Sequence, residues 1–262
     1  MISNQCTTPD LEAALLEEFR RIGHEPPDWA YPLAPSIPFV GKQYGRWGGL
    51  LIYASAENLA HYERDPARIP EFLKDERRFN RHRASATVHA KTGYFPNVHM
   101  APFSNGSLLV AAAFYVLRRF ENEFTKPVDL LESIAAANVG KFSIRGKDNK
   151  DYAGKPKLNN SVPYLRADLE VLKPDVVMVP RTMLRNKQVA QIFKESGCEV
   201  VPIYQFNATT VNCALGKHDK AAKKLAKELA GTPLSRWIEQ LRGYTPGYPY
   251  RYLVELENLL RP

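Results

Sequence analysis

The sequence predicts an α/β protein: a three-layer αβα sandwich around a central, mainly parallel four-stranded sheet. Three observations carry the prediction. From residue 50 onward, short apolar β-prone runs alternate with helical segments. Each strand is separated from the next by a helix-length stretch, so the connections are crossovers and the strands parallel. The chain has 262 residues, 44% hydrophobic and 24% charged, enough to cover both faces of a sheet.

The elements follow in order. "TTPDLEAALLEEFRRIG" (7–23) reads as a helix, with Thr7 or Thr8 as cap, Pro9 in the first turn and Arg20 and Arg21 at its basic end. "EPPDWAYPLAPSIPFVGKQYGRWGG" (25–49) carries Pro26, Pro27, Pro32, Pro35 and Pro38. It cannot be a regular helix or a central strand, and is expected to wrap over the surface. Its glycine-rich end precedes a strand instead of joining strand to helix, so it is no ordinary phosphate cradle.

Residues 50–56 form the first core strand, and 104–124 a strongly apolar helix. Residues 134–141 form a second strand ending on Asn138. A helix from Pro163 to Leu172 leads to a third strand, Val176–Val179. A helix to Lys194, stopped by Gly197, leads to a fourth, Glu199–Tyr204. Two helices (within 217–231 and 233–243) and a last short one close the chain. No repeat or linker divides it. A single domain is expected over 1–262, with an N-terminal helix and Pro-rich segment (1–49) and a C-terminal helical extension (217–262).

Three cysteines, Cys6, Cys198 and Cys213, form no CxxC pair and support neither a zinc site nor an iron–sulfur cluster. His61, His89, His99 and His218 lack metal-ligand spacing. No metal or cofactor is expected. No apolar run reaches the ~18 residues of a membrane span, and "MISNQCTTPDLEAALLEEF" has no secretory pattern. A reducing cytoplasm, no membrane partner and a monomer are the expectations.

The net charge is +8 and the pI near 9.3, which suits a polyanionic partner. "KDERRFNRHRASATVHAKTGYF" (74–95) interleaves cations, Arg81 and Arg83 among them, with Phe79, Tyr94 and Phe95. Cations track phosphates and aromatics stack on unpaired bases. "FSIRGKDNKDYAGKPKLNN" (142–160) is a second basic segment. Either, taken alone, reads equally as a solvated surface.

In a parallel sheet, ligands sit beyond the carboxyl ends of the strands. Three strands end on polar residues: Glu57 and Asn58, then Asn138, then Gln205, Asn207 and Thr209. Alone, each reads as a turn former or helix cap. If the strands are adjacent and parallel, the three ends converge on one cleft, where amides can read a base edge or hold water.

These residues resemble the uracil-DNA glycosylase superfamily, over roughly residues 50–215. "AENL" stands where the first strand of that family ends in G-x-[D/N]-P, with Ala56 for the glycine, Asn58 for the water-positioning Asp or Asn and Leu59 for the proline. "AANVGKF" is similar to the strand ending in the Asn that reads the flipped base, here Asn138. "YLRADLEVLKPDVVMVP" resembles the helix and strand that follow. "FNATT" resembles the last motif, His-Pro-Ser or Asn-Pro-Ser, with Asn207, Ala208 and Thr209 in its three places. The first glycine and both prolines are replaced, and Glu57 alters the pocket floor, so a different or larger base is implied.

The resemblance implies a monofunctional DNA glycosylase. Breaking the N-glycosidic bond builds positive charge on the sugar and negative charge on the departing base, so water must be aimed at C1′ and donors aimed at the base. Asn58 would position water, Asn207 would donate to the leaving base, and Glu57 would act as general base or contact an unusual substituent. Asn138 would hold the extruded base, with Phe72 at a plausible stacking distance and His61 beside the first motif. Thr209 and Thr210 would lie at the phosphates. Val211 or Leu215 would supply the wedge filling the vacated stack. Lys141 would be structural or face a phosphate; no second feature supports a Schiff-base lysine. The base would be uracil-like or a modified pyrimidine, including the hypermodified cytosine of phage DNA, which would make the enzyme antiviral. The alternatives are a non-catalytic nucleic-acid-binding module of the same fold and a nucleoside or nucleotide hydrolase.

Overall fold

The structure is a computed structural model that describes residues 8–23, 25–31, 34–56, 107–142, 144, 156–204, 210–239, 241 and 245–260. It is α/β. In chain order the helices and strands are α1 (Thr8–Ile22), β1 (Phe39–Val40), β2 (Leu50–Ala56), α2 (Ser107–Phe120), α3 (Pro127–Leu131), β3 (Ala135–Gly140), α4 (Val162–Leu172), β4 (Val176–Pro180), α5 (Lys187–Glu195), β5 (Glu199–Ile203), α6 (Asp219–Glu228), α7 (Pro233–Glu239) and α8 (Pro249–Leu260).

The sheet has five strands, not the four expected, in the order β1-β3-β2-β4-β5. β2, β3, β4 and β5 are parallel, with Leu51 opposite both Ala135 and Val177, and Val177 opposite Val200. β1 is the addition. It pairs antiparallel with β3 through Phe39↔Ala136 and Val40↔Ala135. The prolines that bar this segment from a helix or a central strand are compatible with a short edge strand directly after Pro38.

The same segment corrects a second expectation. Pro35, Ser36 and Pro38 through Gly41 are buried, not draped over the surface. Ser36 N–H donates to Lys141 O and Gly41 N–H to Ile134 O, both at 2.8 Å. Gly41 is needed for this close approach: a Cβ there would lie 2.4 Å from the backbone carbonyl of Glu132.

Alternation along the strands divides the core. Ile52, Ala136, Met178, Val201 and Ile203 form one apolar cluster with Phe114, Trp237 and Leu253, from α2, α7 and α8. Leu51, Tyr53, Ala137, Val177 and Val179 form another with Phe19, Leu165, Leu169 and Phe193, from α1, α4 and α5. Helices from both ends of the chain therefore enter the core. α2 is buried from Leu108 to Val116, as its unbroken apolar sequence anticipates.

Asn138 lies within β3 instead of ending it. Val139 and Gly140 continue the strand, and Gly140 pairs with Ala56 at the end of β2. Among the described residues no helix is long and apolar enough to cross a membrane.

Candidate active site at the carboxyl rim of the sheet

Four parallel strands place their carboxyl ends on one rim. After β2 the chain adds β3 on one side, then crosses back to place β4 on the other. The reversal puts a topological switch point between β2 and β4, where open parallel sheets form ligand crevices. Glu57 and Asn58 directly follow β2, and Arg181 follows β4. On the flanks, Asn138 lies near the end of β3, and Tyr204 leads from β5 into Gln205–Thr209.

Of the sequence-predicted residues, Glu57, Asn58, His61, Phe72, Arg81, Arg83, Asn207 and Thr209 lie outside the described residues. Asn138, Lys141, Thr210 and Val211 lie within them.

Asn138 is 4% exposed. The one hydrogen bond that its side chain makes with described residues runs from Nδ2 to Ser36 Oγ at 3.5 Å, the outer limit for such a bond. A carboxamide carries two donor hydrogens and an acceptor oxygen. Buried amides ordinarily satisfy that capacity within the fold, and Asn138 holds most of its capacity in reserve.

Of the two roles expected for Lys141, the structure supports the structural one and not the phosphate contact. The Lys141 side chain is 0% exposed and its Nζ lies 2.5 Å from Asp168 Oδ2. Tyr53 OH donates to the same oxygen at 2.9 Å. The ammonium also sits 5.5 Å from the Phe19 ring centroid and 5.8 Å from that of Tyr53. It is structural, since a desolvated, paired lysine cannot reach a DNA phosphate. Burial pushes Asp168 up to about 6, and the neighbouring Lys141 charge only partly offsets this. Burial and the Asp168 charge push the Tyr53 phenol well above its ordinary value.

Val211 and Leu215 are corrected too. Both are 0% exposed. A wedge must present an apolar tip to the base stack, whereas these side chains pack inward with the cluster around Trp237. Val211 belongs to a single π-helical turn, Thr210–Ala214, a rare conformation that is frequent at functional sites. Thr210, half-buried, opens the turn, and its carbonyl accepts from Leu215 N–H at 3.2 Å.

Arg251 of α8, which the sequence did not single out, fixes this turn. Its Nη1 donates to Asn212 O at 2.7 Å and Val211 O at 3.3 Å, while Nε donates to Asp219 Oδ1 at 2.5 Å. Tyr248 stacks on the guanidinium at 3.5 Å. The turn immediately follows Gln205–Thr209, so Arg251 positions the carboxyl anchor of that motif. Arg251→Met should cost about 2 kcal/mol, because it strands two carbonyls that accepted charge-assisted bonds. It should also speed amide exchange across residues 210–215. Unchanged exchange there would remove the anchoring role.

Arg181 and Tyr204 also escaped the sequence reading. Arg181 N–H donates to Ile203 O at 2.8 Å, joining the ends of β4 and β5. Its guanidinium lies 4.5 Å from the Tyr204 ring centroid. The available signal was the run "RTMLRNK" directly after a strand.

A separate groove of about 540 Å³ lies at the opposite, amino ends of β4 and β5, between α4 and α5. Its charges are mixed, with Arg166 paired to Glu195 at 3.3 Å, and none of the predicted site residues lines it. The switch point between β2 and β4 faces the other end of the sheet.

No protein-family model, no curated protein and no solved structure matches the chain.

Proposed function

We propose that the protein is a monofunctional DNA glycosylase that hydrolyses the N-glycosidic bond of a flipped, uracil-like or modified pyrimidine in DNA, in a reducing cytoplasm. The fold in this reading is the three-layer αβα sandwich of that superfamily. The observation that carries the proposal is Asn138: a nearly fully buried amide beside the carboxyl rim, whose one hydrogen bond to described residues is at the limit of length. The parallel register of β2, β3, β4 and β5 supports it, because the three polar motifs follow or lie near strand ends on one rim.

In this mechanism Asn138 binds the edge of the extruded base. Asn58 orients a water whose oxygen bonds to C1′ while the bond from C1′ to the base nitrogen breaks. The electron pair leaves with the base, where Asn207 donates a hydrogen bond, and the proton of the water passes to Glu57. Hypermodified cytosine is the variant of this reading in which Glu57 contacts the substituent on the base.

The test is a substrate panel: duplexes and single strands carrying uracil, and phage DNA with modified cytosine, each incubated with protein and then treated with alkali. Alkali-labile sites at one class of base are the expected result. Binding without such sites would replace the proposal with a non-catalytic nucleic-acid-binding module. Base release from free nucleosides without DNA affinity would replace it with a nucleoside hydrolase.

A further inference from the structure

Several cations of the described residues are taken up by carboxylates within the fold. Arg118, Arg166 and Arg251 face carboxylates on other elements, and Lys141 is sealed against Asp168. Arg181 is different. It is exposed and stacked on an aromatic ring, and no carboxylate pairs with it among the described residues. A ring contact leaves the guanidinium N–H groups without an acceptor, and their fork matches the oxygens of a phosphate.

Its surroundings are fixed. The Arg181 backbone is bonded to the end of β5. Five residues on, Asn186 Oδ1 caps α5 by accepting from Gln188 N–H and Val189 N–H at 3.0 and 3.1 Å. Asn186 Nδ2 donates to Asn159 Oδ1 at 2.8 Å. The connection is therefore tied at both ends and to the segment carrying Lys157. "RTMLRNK" holds Arg181, Arg185 and Lys187 and no acid; all three cations are exposed. A pre-oriented arginine loses little freedom when it binds. Its place is the carboxyl rim, one residue beyond β4, which borders the switch point.

We infer that Arg181, held on Tyr204, contacts a DNA backbone phosphate beside the extruded nucleotide, and that Arg185 and Lys187 extend this contact along the strand. The inference rests on the glycosylase reading and names the part of the protein that grips the backbone. Aromatic stacking by Tyr204 is used here to hold the arginine, not to read a base.

The experiment is fluorescence anisotropy with undamaged duplex DNA and a single strand of equal length, each across a salt series. Arg181→Ala should weaken binding about tenfold, equally for different sequences. The slope of log affinity against log salt should become shallower by about 0.9 on duplex, the loss of one phosphate contact. Arg181→Lys keeps the charge and should keep the slope while losing part of the affinity. Tyr204→Phe should bind as wild type, and Tyr204→Ala should lose affinity about threefold. An Arg181→Ala protein that melts as wild type and binds with unchanged affinity and slope overturns the inference.

The two readings fail separately. Wild-type binding with the expected Arg181 effect, but no base release from the panel, leaves the phosphate contact standing and removes the catalysis. Base release with an indifferent Arg181 does the reverse. Absence of any DNA binding by the wild type overturns both.

Discussion

Lys141→Met should lower the unfolding free energy by about 3–5 kcal/mol, a large share of what holds a domain together. Lys141 and Asp168 are both 0% exposed, and their charged atoms are 2.5 Å apart. Each charge is tolerated in the interior because the other is there. Without the ammonium, the Asp168 carboxylate retains Tyr53 OH as its described partner, while its Oδ1, which has no hydrogen-bond partner, stays buried. Asp168→Asn should be comparably damaging, because it leaves a buried ammonium facing a neutral amide. The double change Lys141→Met/Asp168→Leu should recover most of the loss, since an apolar pair of similar volume carries no desolvation cost. Denaturant unfolding of the four proteins gives the cycle directly. Single variants within 1 kcal/mol of wild type would show that the pair does not carry this weight.

The pH dependence has a definite sign. Burial raises Asp168 from 3.8 to about 6 in the folded chain. Between those values the folded state binds more protons than the unfolded state, so the stability contributed by this group falls as pH rises through the window. It is fully present below 3.8. Removing Lys141 removes a charge that lowers the Asp168 pKa, so in Lys141→Met the window extends upward. The deficit of this variant against wild type should therefore narrow on going from pH 8 to pH 5. A deficit constant over that range would mean that Asp168 does not titrate there.

The sheet was readable because its signals are local. Leu50–Ala56, Val176–Pro180 and Glu199–Ile203 are short apolar runs bounded by turn residues, and they form within a residue of the expected limits. Gly197, at φ +74°, closes α5 where a left-handed residue was needed. β1 was not readable. A two-residue strand has no period, and only pairing with β3 makes it a strand. Lys141 stayed open between a structural and a phosphate-facing role, because a lysine after a strand looks exposed until its partner is known. The partner did leave a trace: Asp168 occupies the stripe of Leu165, Leu169 and Leu172, where an acid must be paired to be buried. Val211 was misread for the converse reason. Its loop position suggested a protruding tip, and the π-helical turn, held by Arg251, directs it inward. Arg181 and Tyr204 are 23 positions apart, and only the pairing of β4 with β5 makes them neighbours.

Asn138→Ala should reduce kcat/KM for the target base by about 10²–10³-fold, the range seen when one preorganised donor is removed from a site where charge develops. Affinity for undamaged DNA should change less than twofold, because an amide that meets only an extruded base makes no contact with a stacked one. The stability cost should stay below about 1 kcal/mol, since the one bond lost within the described fold is the 3.5 Å contact with Ser36. That combination separates a ligand-reading amide from a structural one, which would lose stability and spare selectivity. Asn138→Asp is the sharper variant. It replaces two donor hydrogens with a carboxyl at nearly constant volume, so any base that offers an acceptor at this edge should be rejected, at a larger cost in stability than Asn138→Ala because the carboxyl is buried. Asn58→Ala addresses a different step: base release should be lost while binding to DNA carrying the target base persists, because a residue that aims water takes no part in holding the base. If Asn138→Ala keeps full discrimination among the panel substrates, the buried amide is packing, and the reader of the base must lie elsewhere on the rim.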